Sequence, residues 1–168
     1  MSTAWTPAQI CRLKIERDVL EKYFPGRVTW ISPRGSTKVE VKLDTNSNHK
    51  YTLCIQLPED FPNSCPTLWI VSPKNLRQKN RQPLPENSSE FHTLAAKDGC
   101  ISICHFYPLH WNAQDTLYEV FMKGRLWLEA YEGHLNSGQP INNYLPEQVD
   151  ALVPLIDLLT LSLLGNRS

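Results

Sequence analysis

Residues 38–72 read KVEVKLDTNSNHKYTLCIQLPEDFPNSCPTLWIVS, and the period of this stretch decides the fold. Val39, Val41 and Leu43 alternate with Lys38, Glu40 and Lys42, a period of two. Tyr51, Leu53, Ile55 and Leu57 repeat the pattern, and residues 67–72 are rich in strand formers. The breaks between these runs, NSNH and EDFPNSCP, are turn material. Short connections predict an antiparallel meander with one buried and one wetter face. Residues 27–32, RVTWIS, add a fourth strand on the N-terminal side, after the turn PRGST is counted as the break before 38.

Outward from the strands the period lengthens. In TPAQICRLKIERDVLEKYFPG, Thr6 suits a helix cap, Pro7 the first helical position, and Pro25-Gly26 a stop. Ile10, Leu13, Arg17, Leu20 and Phe24 fall on one stripe of that helix. Residues 73–91 are polar, carry prolines and have no period, so they read as a long loop, which in a compact domain is often functional. Residues 92–111 continue as an irregular segment. A helix over 115–135 follows, with Leu117, Val120, Phe121, Leu128 and Tyr131 on its apolar side. Gly124 inside it costs about 1 kcal/mol against alanine, which implies close packing at that point. A last helix is expected from about 146 to 164. Strands and helices are segregated, so the class is α+β. Residues 1–148 form the domain and 149–168 a helical extension packed on it or on a partner.

The chain has 168 residues, enough for one hydrophobic core, and its 17 basic residues balance 17 acidic ones. A neutral chain has no global field to draw in nucleic acid. The basic run SPKNLRQKNR at 72–81 reads as a solvated loop. The five cysteines show no CxxC spacing, so a disulfide framework is not expected and the compartment reads as reduced and cytoplasmic. The N-terminus has no basic region followed by an apolar core, so no secretory leader is expected. The apolar run 151–164 is short and broken by Pro154, Asp157, Thr160 and Ser162, which argues against a membrane span.

The chemistry concentrates in HTLAAKDGCISICHFYPLHW, residues 92–111. Cys100, Cys104, His105 and His110 could bind zinc in principle. In an extended segment, however, Cys100 and Cys104 face one way and His105 the other, and no second ligand pair is spaced to match. Neither metal nor cofactor is expected. Cys11, Cys54, Cys65 and Cys100 read as packing residues, since free cysteine behaves as a small buried hydrophobe.

The order of these elements and motifs resembles the ubiquitin-conjugating enzyme family over roughly residues 7–148. FPNSCP at 61–66 is similar to the family's proline-rich turn between its last two strands. His92-Thr93-Leu94 stands where the family has His-Pro-Asn, Gly99 lies seven residues further on, and Ile101-Ser102-Ile103 fills the triplet that bears the carrier cysteine. Trp111 precedes the next helix as the family's tryptophan does. The segment RLWLEAYEGHL, from 125, is more similar to bacterial relatives that lack His-Pro-Asn, some of them in anti-phage operons of the CBASS type.

That resemblance implies a UBC-like fold and a transferase. It would carry the C-terminus of a cGAS-like nucleotidyltransferase or a ubiquitin-like protein on residue 102 and pass it to an amine, with an activating enzyme as a further partner. A thiol suits such exchange because some thiolate exists at neutral pH; a serine hydroxyl does not. Ser102 therefore has three readings: a replaced cysteine, a natural loss that leaves a binding module, or an ordinary residue beside a catalytic Cys104. His92 is expected to tie down its loop or act as a base, and His105 to lower a thiol's pKa or relay a proton. All of this requires the side chain at 102 to sit open on the rim of a cleft.

Overall fold

The computed structural model describes residues 4–105 and 108–145. Helix α1 runs Pro7–Tyr23. Its first turn is closed by a reciprocal cap: Gln9 N–H donates to the Thr6 hydroxyl, and the Gln9 side chain accepts from Thr6 N–H. Leu13, Glu16 and Leu20 are the buried positions. The expected stripe is therefore shifted: Ile10 is 56% exposed and Arg17 is exposed, while its guanidinium lies 4.9 Å from the Trp30 ring centre. The acidic residue inside has a structural task. One Glu16 carboxylate oxygen accepts from Arg12 Nε at 2.8 Å and the other from Leu117 N–H at 2.9 Å, one of the donors a helix start leaves without an internal partner. Arg12 continues the link by donating to the carbonyls of Ala113 and Asp115. Burial raises the Glu16 pKa, and these hydrogen bonds oppose the rise.

Among the described residues six strands follow instead of four. They are β1 (Val28–Ile31), β2 (Lys38–Asp44), β3 (Lys50–Gln56), β4 (Thr67–Ser72), β5 (Thr93–Lys97) and β6 (Cys100–Ile103). They form one antiparallel sheet in the order β1-β2-β3-β4-β6-β5. The first four are the expected meander. The correction lies in 93–103, expected to be irregular and in fact a hairpin whose second strand inserts between β4 and β5. The turn is Asp98-Gly99 with φ of +51° and +74°. That dipeptide is the strongest short-range hairpin signal, because both central positions of a type I′ turn need positive φ. The flanks hid it: TLAAK does not alternate, and CISI is largely buried on both faces.

Helix α2 (Leu117–Ser137) is capped by Thr116 and Glu119 in the same reciprocal way and ends at Gly138, φ +82°, whose N–H donates to His134 O. It crosses the sheet at Gly124. A Cβ there would stand 2.7 Å from Leu53 Cδ1 and 3.0 Å from Leu68 Cδ2, so the glycine sets the approach of helix to sheet. Leu117, Val120, Phe121, Leu128 and Tyr131 are all buried in the core with Leu53, Leu68 and Ile103. A short turn, Ile141–Tyr144, returns along α2 and lays the Tyr144 ring about 3 Å from where a Gly133 Cβ would be. The helix expected over 146–164, and the extension 149–168, fall outside the described residues.

Candidate functional site

Pairing places Ser102 exactly opposite two residues at once: Trp69 of β4 on one side and Leu94 of β5 on the other. Glu40, Cys54, Trp69, Ser102 and Leu94 are successive register partners across five strands, so all point to one face. It is the face opposite Leu53, Leu68 and Ile103, which meet α2. Directly opposed side chains on one face are in contact range. Ser102 is 1% exposed, and its hydroxyl donates to Leu68 O at 3.1 Å. The expected open rim is corrected by this geometry: strand pairing on both sides and the flanking Trp69 and Leu94 seal the position. Trp69 is itself only 3% exposed, with the Lys38 and Lys97 ammonium groups 5.6 and 5.4 Å from its ring centre.

Cys104 lies just past β6, with its N–H donating to His92 O at 2.9 Å. It is half-buried, and burial raises its pKa, which suppresses the thiolate a nucleophile needs. His105 meets the end of β6 and the proline turn. Its Nδ1 lies 3.3 Å from Ile103 O and its Nε2 lies 3.6 Å from Cys65 Sγ. Cys65, expected as a packing residue, meets His105 across forty residues of sequence because β4 pairs with β6. The pair is not an activated thiol. Burial pushes Cys65 up to about 11 despite the nearby Lys123 charge, and it pushes His105 down to about 4 despite the Ile103 carbonyl, so both are neutral at pH 7.

His92 has φ +49° and holds a different partner: its Nε2 is 2.8 Å from Asn142 Oδ1, tying the start of β5 to the turn after α2. Trp111 donates from its indole to Pro62 O at 2.8 Å, and His110 sits in the short turn Pro108–His110. Cys100 clusters with Cys54 and Trp69 on the face opposite α2. Among the described residues, no group of three or more His, Cys, Asp or Glu side chains is placed to hold a metal ion. A groove of about 220 Å³ opens between the loop at 75–86 and the β5–β6 turn, lined in part by Leu76, Leu84, Ala96, Gly99 and Ile101. Gly99 is on its wall, but Ser102 and Cys104 are not.

The residues expected to act as one site are thus turned to different partners: Ser102 is sealed in the sheet, His105 meets Cys65 beside the proline turn, and Cys104 is joined through its backbone to His92, whose ring is held on the α2 side by Asn142. No helix among the described residues is long and apolar enough to cross a membrane. A family model for the RWD domain matches residues 12–104, from α1 through the end of the hairpin. The RWD domain has a UBC-like fold, in agreement with the α+β order of helix, antiparallel sheet and helix. No curated protein and no solved structure matches the chain.

Proposed function

The chain belongs to the RWD domain family, and from that premise we propose that it is a protein-binding module that performs no acyl transfer. The observation that carries this reading is Ser102: the side chain at the carrier position is 1% exposed and its hydroxyl is already committed to Leu68 O. Acyl exchange needs an ionisable, accessible nucleophile held against a carbonyl and an oxyanion donor. Cys104, the other candidate, has a pKa raised by burial and a neighbouring histidine that faces Cys65.

The finer reading is a UBC-like transferase of bacterial anti-phage defence, with a cGAS-like nucleotidyltransferase or ubiquitin-like tail as donor. It draws on the spacing of His92, Gly99, Ser102 and Trp111 and on Gly99 adopting φ +74° beside the groove. One experiment separates the two. The Ser102→Cys protein is incubated with a peptide α-thioester and run on a gel with and without reductant. The binding-module reading expects no reductant-sensitive adduct at position 102 or Cys104. An adduct mapping to either residue would favour the transferase.

A further inference from the structure

We propose that the edge of β1 is a docking site for an extended acidic segment of a partner protein, which joins the sheet there as an added strand. This rests on the protein-binding reading and gives it a place and a partner chemistry. β1 and β5 are the two edges of the sheet, and they are finished differently. At β5, Ala96 N–H donates to the Glu86 carboxylate at 2.8 Å and Thr93 N–H to Ser88 O at 3.0 Å, so the chain at 86–88 lies where an added strand would bond. At β1 the register tells which groups are left over. Leu57 N–H donates to Thr37 O, so Val39 and Val41 bond toward β3, and Lys38, Glu40 and Lys42 bond toward β1. Lys42 N–H does donate to Arg27 O at 3.0 Å. Thr29 and Ile31, opposite Glu40 and Lys38, therefore bond inward, and the N–H and C=O of Val28 and Trp30 point away from the sheet. Among the described residues nothing beyond the sheet bonds to the backbone of either.

The occupant follows from the side chains beside that edge. β1 has only four residues, so backbone pairing alone selects no partner, and specificity has to come from alternate side chains. On the α1 side stands Arg17, exposed, with its guanidinium 4.9 Å from the Trp30 ring centre; Arg34 is exposed in the turn that follows β1. Neither arginine has a carboxylate partner among the described residues. The acidic groups nearby are engaged elsewhere or face away. Asp44 pairs with Arg27 at 2.9 Å, and a Glu21 oxygen accepts from Gly26 N–H at 2.7 Å. Asp18 follows Arg17 in sequence and does not share its side of the helix. Glu40 lies on the other face of the sheet, between Lys38 and Lys42. On that other face Ile31 is 38% exposed and Thr29 is exposed too. An extended segment that alternates acidic and apolar residues matches both sides. Its carboxylates meet the arginines, which can hold them through paired hydrogen bonds, and its apolar side chains lie beside Ile31.

The test adds a capped synthetic peptide of alternating valine and glutamate, about eight residues long, to the full chain and follows backbone amide exchange by NMR. The control is the same peptide with lysine in place of glutamate. The valine–glutamate peptide is expected to slow exchange of the Val28 and Trp30 amides about fivefold or more, while the amides of Leu94 and Ala95 keep their rates. The lysine peptide is expected to bind at least about tenfold more weakly, and Arg17→Gln combined with Arg34→Gln to weaken the glutamate peptide by a similar factor. Both arginines are exposed, so that variant keeps the fold. Equal affinity for the two peptides, no binding of the glutamate peptide, or binding without protection of Val28 and Trp30 would each overturn the proposal. So would strong protection of those two amides in the protein alone, which would assign the edge to another part of this chain or to a second copy. The reading beneath it is judged separately: a reductant-sensitive adduct at position 102 or Cys104 removes the binding module, whereas failure at β1 without an adduct removes this site alone.

Discussion

β2–β3 and β5–β6 are both antiparallel pairs of one sheet, yet they are built differently. β2–β3 keeps seven residue pairs in unbroken register from Lys38↔Gln56 to Asp44↔Lys50, with alternate side chains buried. β5–β6 keeps three pairs, broken by an irregularity between Leu94 and Lys97, and β5 exposes three of its five residues. In the first pair the side chains carry the stability, through Val39, Val41, Leu53 and Ile55 at or near zero exposure. In the second the stability comes from position: β6 is locked between two strands, and β5 is held by a Glu86 side chain, a Ser88 carbonyl and the His92–Asn142 contact. A strand can thus be fully sequestered without carrying the period that announces it, and Ser102 sits on such a strand.

The largest effect should come from truncating one leucine in each pair. Leu53→Ala removes a side chain with no exposed surface and is expected to cost about 2–5 kcal/mol in chemical denaturation. Leu94→Ala, at 42% exposure, should cost less than about 0.5 kcal/mol. Comparable losses at the two sites would erase the contrast.

The next effect is a pH dependence at the end of β6. His105 is held down to about 4 by burial, from an ordinary value of 6.5. Between those values the unfolded chain binds a proton that the folded chain does not, so stability is fully present above pH 6.5 and is lost as pH falls toward 4. The slope from this one group is at most about 1.4 kcal/mol per pH unit. Denaturation midpoints of His105→Gln should show a flatter slope than the parent across that window; an identical slope would mean the ring is already charged in the fold.

Smaller still is the loss of one hydroxyl. Ser102→Ala deletes the bond to Leu68 O and is expected to cost about 1 kcal/mol, since a typical internal hydrogen bond nets that much. A gain in stability would show the hydroxyl to be strained or idle.

The legible part of the molecule was the part whose side chains face two different environments. Alternation located β1 to β4 within a residue or two, and the cap signals Thr6-Pro7 placed the start of α1. The apolar side of α2 and the tight approach at Gly124 could also be read, since a glycine amid good helix formers has a packing reason. The α1 stripe was misjudged at Ile10 and Arg17 because periodicity cannot see that Glu16 is drawn inward by Arg12 and Leu117. At the candidate site the motif order singled out residues 92–111 but carried no sign of how far their side chains are buried. Whether Ser102 is open depends on β6 slotting beside β4, a pairing between positions as distant in sequence as Trp69 and Ser102 that no local pattern encodes. The Cys65–His105 contact was hidden for the same reason.

The sealing of position 102 can be measured directly. The Ser102→Cys protein is pulsed with a thiol alkylator under native conditions and the labelled peptides are separated by mass, with exposed Cys11 as the internal reference. The thiol introduced at 102 is predicted to label only as fast as the protein globally unfolds, slower than Cys11 by about 10³-fold or more. Labelling of position 102 at the Cys11 rate would contradict the account and return the residue to the rim of a cleft.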